Sequence, residues 1–418
     1  MLTKAVNEEM TRVGPGTPMG EVLRHYWYPV AMVRELKENR TKRVRLLGEE
    51  FVVYRMLNGG YGIIAEKCPH RGASMAYGMV EEDGIRCSYH GFKFDERGKC
   101  LHMPNYDQDS PFRKKLCARV GHAQELGGLV FAYIGKDPAP ELPLYSGYTM
   151  DGIRDIGWTV VPCNWLQIME NSVDPYHVEA LHGDYMRYMG ELKGFEMPSA
   201  FSKKHLRIGF TPFEHGIIKR RILEGQTEES DDWKIGHPLV FPYCMWVGGN
   251  GVYQMQIRVP MDDTHTWVAF YSVHAPEGMD MSGEDTCVDY QFPIQDETGA
   301  YLTDYVEGQD IMAWVSQGPI ADRTKEMLGQ GDQGVIKLRK MVRDSLNAVK
   351  EGRDPVAVMR EPHDPIELPL ERSKFGAGYE FALQWLERGS QMYSPQNARL
   401  RELHLEGARR RGEAEAAE

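Results

Sequence analysis

Residues 68–90 run C-P-H-R-G-A-S-M-A-Y-G-M-V-E-E-D-G-I-R-C-S-Y-H. Cys68 and His70 form one pair of metal donors, Cys87 and His90 a second, and sixteen residues separate His70 from Cys87. Each pair combines a thiolate with an imidazole. Gly72 and Gly91 follow the first residue of each pair by four positions, where a tightly folded loop can use positive φ. Pro69 stiffens the first loop.

Zinc also accepts two cysteines and two histidines, but its sites usually group Cys with Cys and His with His. Here each loop carries one of each. That pattern suits a Rieske two-iron, two-sulfide cluster, in which cysteines hold one iron and histidines the other, raising the reduction potential. The stretch resembles Rieske proteins. Cys100 and His102 repeat the C-x-H spacing, but no second C-x-x-H follows them, and on this reading they are ordinary residues.

Outward from this stretch the chain alternates as β-structure does. Strand-like runs stand at 43–47, 51–57 and 61–65, with Asn58, Gly59 and Gly60 as a hairpin turn, and again at 92–95 and 129–134. The Pro-rich run K-D-P-A-P-E-L-P-L at 136–144 ends this part. Beyond it, 158–161 looks like a strand and 163–182 like an irregular helix. Runs at 205–210, 216–223, 239–247, 252–259 and 266–274 predict an antiparallel sheet of five or more strands. Residues 276–300 are polar and read as a loop, and 301–315 as a helix. Val335, Leu338, Met341, Val342, Leu346 and Val349 recur at helical steps, which predicts an amphipathic helix over 334–350. One more helix is expected within 375–387, followed by a frayed charged end. The expected fold class is α+β. An all-β domain spans 1–140, a domain with an antiparallel sheet flanked by helices spans 150–352, and a partly helical tail spans 353–418.

Composition narrows the function. The 418 residues suit two domains. A net charge of −12, from 49 basic and 61 acidic residues, argues against nucleic acid as a partner. The start, M-L-T-K-A-V-N-E-E-M, has no apolar signal core, and no apolar run approaches the ~18 residues of a membrane span. Seven cysteines, two of them in the opening motif, do not make a disulfide framework. A cytoplasmic protein is expected.

A second donor set follows. Residues 170–182 read E-N-S-V-D-P-Y-H-V-E-A-L-H, with Asp174, His177 and His182 at spacings of three and five. Two imidazoles and a carboxylate are the facial triad of a non-haem iron(II) oxygenase, which leaves positions open for dioxygen. Residues five apart on a regular α-helix point about 140° apart. If both histidines bind one metal, the helix must break or carry a π-bulge. Alone, the segment is equally a helical surface with scattered histidines.

With the first motif upstream, the chain resembles the large (alpha) subunit of Rieske non-haem iron oxygenases, over about residues 15–350. The resemblance implies that His177 and His182 bind iron(II) and that Asp174 bridges a cluster histidine to an iron-binding one. It implies a later aspartate as third ligand: Asp310, in E-G-Q-D-I-M-A-W-V-S, with Asp304 as the fallback. Asn171 matches an asparagine often found beside that iron. Within the family the run R-V-G-P-G-T-P-M-G-E at 12–21 and the segment after Asp310 look most like the phthalate dioxygenase group, which includes aryl-ether O-demethylases.

The implied function is oxygenation of an aromatic, carboxylated substrate. O-demethylation is favoured over phthalate-type ring cis-dihydroxylation. No G-x-G-x-x-G follows a strand, so no dinucleotide site is expected. Electrons then come from a flavin-containing reductase, directly or through a ferredoxin. The resemblance also implies a homotrimer in which neighbouring chains bring the two metals together. A Rieske electron carrier without chemistry of its own is the alternative of another class; it would have no use for the second donor set. Arg207, Lys219, Arg220 and Arg221 could meet a substrate carboxylate, although charged strand residues usually face water. Trp246 and Trp267 are expected in the core.

Overall fold

The computed structural model describes residues 1–104, 106, 107, 109–196, 201 and 203–413. In chain order the first strands are β1 (Tyr28–Met32), β2 (Thr41–Leu46), β3 (Glu49–Arg55), β4 (Tyr61–Ala65), β5 (Met79–Glu81), β6 (Gly84–Arg86), β7 (Lys93–Phe94), β8 (Cys100–His102), β9 (Val120–Leu126) and β10 (Leu129–Tyr133). They form a six-stranded sheet, β1-β10-β9-β4-β3-β2, and a four-stranded sheet, β5-β6-β7-β8. One donor loop joins β4 to β5 and the other joins β6 to β7. Tyr54, Ile64, Met75, Ile85, Phe92 and Phe94 pack together with Cys68 and Cys87. The loops are therefore rooted in an apolar core, and only their tips meet solvent.

The second sheet has eight strands: β11 (Ile153–Val161), β12 (His205–Phe213), β13 (Gly216–Leu223), β14 (His237–Val240), β15 (Cys244–Gly249), β16 (Val252–Pro260), β17 (Thr266–His274) and β18 (Cys287–Gln291). Their order is β12-β13-β14-β15-β16-β17-β11-β18. Two expectations change here. The run at 239–247 belongs to two strands, β14 and β15, which pair with each other antiparallel. The polar segment 276–300 contains β18, which pairs parallel to β11. Its residues are half-buried at most except for the exposed Gln291, so an edge strand carries no apolar pattern to betray it.

Helices Trp165–Ser172, Val306–Ser316 and Gln333–Lys350 lie beside this sheet. Trp165, Leu166 and Met169 are fully buried in the core that also holds Leu338, Met341 and Val342. Within it, the Glu170 carboxylate accepts from Arg323 Nη2 at 2.7 Å and Arg339 Nε at 2.6 Å. This pairing anchors the helix that leads into the second donor set. Trp246 is buried, as expected, and Trp267 packs partly buried against the same core. Among the described residues no helix is long and apolar enough to cross a membrane.

The C-terminal segment forms the helix expected within 375–387, as Glu380–Arg388, and a further, unexpected helix, Asn397–Arg410. Of the end expected to fray, 408–410 belong to this last helix and 414–418 lie outside the described residues. His404 Nε2 lies 2.9 Å from His274 Nδ1, and Gln391 Nε2 lies 3.0 Å from His274 Nε2. Asp155 on β11 accepts from Ser394 Oγ at 2.5 Å and from Gln396 Nε2 at 3.1 Å. The last helix and the segment just before it thus close over β17 and β11 through buried polar groups, which hydropathy does not register.

Burial, and then Arg411, pushes His404 down to about 4, and burial holds His274 well below its ordinary value. An unfolded histidine titrates near ~6.5, so between those values the unfolded chain binds protons that the folded chain refuses. Stability is then complete above about pH 6.5 and falls as pH drops toward 4. Urea midpoints at about pH 7 and about pH 5 should show this loss, and His404→Gln should shrink it. Equal losses in the two proteins would remove His404 from the explanation.

Candidate functional site

The two donor loops repeat one local geometry. The Gly72 N–H donates to the Cys68 carbonyl at 2.9 Å and the Gly91 N–H to the Cys87 carbonyl at 3.0 Å. Both glycines sit at left-handed φ, 72° and 73°, a conformation that any Cβ would strain. The Cys68 N–H then reaches the Ala73 carbonyl and the Cys87 N–H the Phe92 carbonyl, each at 2.8 Å. Both thiols are buried, Cys68 at 3% and Cys87 at 2% exposure. The rings of His70 and His90 are half-buried, with centroids 4.6 Å apart. His70 also stacks on Phe92 at 4.3 Å. Two inner sulfur donors and two outer nitrogen donors fit a cluster with one iron inside and one at the surface. Cys100 is buried, and His102 Nδ1 contacts Arg86 at 3.0 Å, so neither is a donor in this arrangement.

The second donor set forms in an irregular helix. Helix Trp165–Ser172 ends, Asp174 and Pro175 follow, and Val178–Tyr185 is a π-helix. The i→i+5 bonding of a π-helix places residues five apart on one face, which brings the rings of His177 and His182 to 5.3 Å. A Cβ on Gly183 would come within 2.8 Å of the Phe201 carbonyl, so a neighbouring segment crosses closely at this turn.

Asp310 approaches from helix Val306–Ser316. Its Oδ1 lies 3.3 Å from His182 Nε2 and 3.6 Å from His177 Nε2. His177, His182 and Asp310 each offer an atom within 4.8 Å of the others. The fallback Asp304 is not in this group. His182 Nδ1 contacts Gln309 Oε1 at 3.0 Å, while Gln309 Nε2 donates to the Thr303 carbonyl at 2.9 Å. The second bond fixes the amide's orientation, so Nδ1 carries the proton and Nε2 presents its lone pair inward. Burial opposes the charge on Asp310, but His182 and His177 outweigh it and keep the carboxyl below its ordinary value. The donor set, two imidazole nitrogens and one ionised carboxylate, fits iron(II) with open positions.

Asn171 Nδ2 lies 3.5 Å from Asp310 Oδ1. Asp174 stands on the outer side of His177, its Oδ2 3.5 Å from Nδ1, and its Oδ1 accepts the Tyr176 N–H at 2.9 Å. Its side chain keeps 30% of its surface open. Burial opposes its charge and His177 favours it, with the net result a lowered pKa.

The three donors line a pocket whose walls also include Lys219, Arg221, His237, Glu307, Lys374 and Phe375. Here the structure corrects the expectation of a solvated strand face. Arg207 does lie outside, over Trp233, and Arg220 is half-buried. Lys219 and Arg221, two residues apart on β13, point inward and are 4% and 2% exposed. Burial, then repulsion from Arg221 and Lys374, pushes Lys219 down to about 7. Burial pushes the Glu307 carboxyl up to about 7. Gln309 and Lys374 escaped the sequence reading. Gln309 had no signal beyond adjacency to Asp310, and Lys374 had none.

The chain matches two family models in succession. The Rieske [2Fe-2S] domain covers residues 26–119, and the LigXa C-terminal domain-like model covers 134–289 and 294–369. It is 39% identical, over 88% of its length and 86% of the relative's, to the 5,5'-dehydrodivanillate O-demethylase oxygenase subunit of Sphingobium sp.. It is 31% identical to the phthalate 4,5-dioxygenase oxygenase subunit of Pseudomonas putida, over 85% and 89% of the two chains. The solved structure of Pseudomonas putida CBB5 NdmA with caffeine shares the fold, at TM-score 0.60 and 20% identity, over 83% of this chain and 100% of that one. Joined to the two donor sets, these likenesses identify the chain as a Rieske non-haem iron oxygenase, the alpha-type subunit of the phthalate dioxygenase-like group, which uses a Rieske [2Fe-2S] cluster and a mononuclear iron.

Proposed function

We propose that this subunit O-demethylates a methoxylated aromatic acid, with ring cis-dihydroxylation as the second reading. The observation that carries the choice is its 39% identity, across 88% of the chain, with an O-demethylase oxygenase subunit, against 31% with a phthalate dioxygenase subunit. Like its relatives it works with reductase or ferredoxin partners on a carbon substrate. In this reading a flavin-containing reductase delivers the electrons, directly or through a ferredoxin.

Cys68, His70, Cys87 and His90 hold the cluster in this proposal, and His177, His182 and Asp310 hold the iron. Bound iron(II) supplies the activation of dioxygen beside the substrate. The chain's own residues position and shield. Gln309 keeps His182 in one tautomer, and Asp174 orients His177. Asn171 stands against Asp310. Val178, Phe201, Val306, Phe375 and Trp385 line the cavity and exclude water from the reacting methyl group. One methoxyarene, one dioxygen, two electrons and two protons give a hemiacetal and water. The hemiacetal then splits into a phenol and formaldehyde.

Assembly completes the proposal. The Pro-rich run at 136–144 divides a cluster domain from an iron domain. Large apolar side chains are exposed on both parts of the chain, among them Tyr77, Tyr89 and Phe112 in the first and Tyr176, Tyr188 and Leu206 in the second. Such surfaces suit a head-to-tail contact, which closes as a ring around a three-fold axis. Asp174 then hydrogen-bonds His70 or His90 across the subunit boundary.

With a reductase supplied, methoxybenzoates should release one formaldehyde per turnover. Entry of both atoms of dioxygen into a ring diol would reverse the two readings. His177→Ala or His182→Ala should abolish iron retention and turnover and leave the electron paramagnetic resonance signal of the reduced cluster intact. Loss of that signal would contradict two separate sites. Asp174→Asn should keep both metals yet slow single-turnover electron transfer by about 10- to 100-fold, the range expected when a ligand loses its orienting partner. Normal turnover in this variant, or a fully active monomer by light scattering, defeats the bridging role.

A further inference from the structure

Resting on the oxygenase reading above, we propose that Lys219 is the substrate-binding residue that receives the carboxylate of an aromatic acid. Arg221, Lys374 and Glu371 form the scaffold around it.

The cavity lined by His177, His182 and Asp310 is also lined by members of a buried cluster of charge. Arg221 Nε donates to Asp232 at 3.0 Å, and Arg221 Nη2 lies 3.5 Å from Glu371. Lys374 Nζ donates to Glu371 Oε1 at 2.6 Å, and His237 Nδ1 lies 2.9 Å from the same oxygen. Asp232 and Glu371 are themselves buried, at 1% and 0% exposure. Lys219 differs from its neighbours. Its Nζ donates to the Ser172 carbonyl at 3.0 Å, and among the described residues no carboxylate lies within ion-pair distance of it. An ammonium has three donors, so two are left for the cavity.

Asp232 and Glu371 thus pair Arg221 and Lys374, with His237 held neutral by burial, and Lys219 is left without an ion-pair contact. A buried charge without a counter-ion is strongly unfavourable. Burial lets Lys219 give up its proton near neutrality, and the arriving ligand's carboxylate supplies the anion that holds its charge. The cavity lining adds the apolar side chains of Val178, Met245, Val247 and Phe375 and the polar ones of Asn171, Gln256 and Glu307. A planar ring fills this cavity, with its carboxylate at Lys219 and its opposite edge turned toward His177, His182 and Asp310. Register reinforces the placement: Lys219 pairs with His237 across β13 and β14, so strand pairing holds its backbone facing the cavity. The charged end therefore determines which part of the ring meets the iron.

Calorimetry on the metal-loaded protein with 3-methoxybenzoate and the neutral isostere 3-methoxybenzamide tests this. The wild type should bind the acid at least about tenfold more tightly, as one charge-assisted bond allows. Lys219→Gln keeps a donor for the Ser172 carbonyl but removes the charge; it should weaken the acid about 10- to 100-fold and bring the two affinities together. Lys219→Arg should retain the preference. No preference in the wild type, a preference that survives in Lys219→Gln, or equal loss of both ligands with the cluster spectrum intact overturns the assignment. Should Lys219→Gln fail to load its metals, Lys219→Arg decides, since loss of the preference there with metals bound also overturns it. Formaldehyde release is a separate readout: its absence with the acid preference retained rejects O-demethylation and leaves the anion site standing.

Discussion

The π-turn between His177 and His182 is the constraint on which the catalytic end depends. A regular α-helix would send the two rings to different sides. Bonding from i to i+5 turns them to one side, 5.3 Å apart. The third donor, Asp310, comes from a helix more than a hundred residues later. Its neighbour Gln309 holds His182 by the ring nitrogen that faces away. One helical turn therefore supplies both a candidate donor and the group that orients another. Behind the turn, Glu170 between Arg323 and Arg339 fastens the preceding helix to the core. Breaking such a buried pair by removing one partner typically costs about 3–5 kcal/mol, so the site's geometry is tied to the stability of the domain.

Charge is arranged differently inside and outside. The chain as a whole is acidic, at net −12. Its cavity wall is cationic, with Lys219, Arg221 and Lys374 buried around Glu371. An acidic exterior gives no general attraction for anions, so on the proposed function selectivity for an aromatic acid resides in this local cluster. A focused charge in a low-dielectric cavity acts far more strongly than the same charge at the surface. The cavity also brings the neutral-leaning Glu307 carboxyl near the triad, where Ser390 N and Oγ donate to it at 2.6 and 3.1 Å. That contact ties the C-terminal segment to the helix carrying Asp310, which gives the tail a part in the shape of the site.

The sequence alone determined whatever depends on short spacing. Cys68 with His70 and Cys87 with His90 are legible because each pair, with its glycine four residues after the cysteine, forms its turn from local backbone bonds. The facial triad was half legible: the five-residue step from His177 to His182 demanded a distorted helix, and a π-helix is there. Long periodic elements, such as the helix Gln333–Lys350, could be read as well. Tertiary structure decided the rest. On β13, Ile217, Lys219, Arg221 and Leu223 share one face, while Ile218, Arg220 and Ile222 share the other. Both faces mix charge with aliphatic residues, so alternation cannot say which is inside. Only the pairing of β13 with β14 and the close approach of Glu371 and Lys374 turn Lys219 and Arg221 inward. The strand Cys287–Gln291 and the helix Asn397–Arg410 escaped for the same reason. They are held by edge pairing and by buried polar bonds to β11 and β17, and contacts made between distant residues leave no period in the sequence.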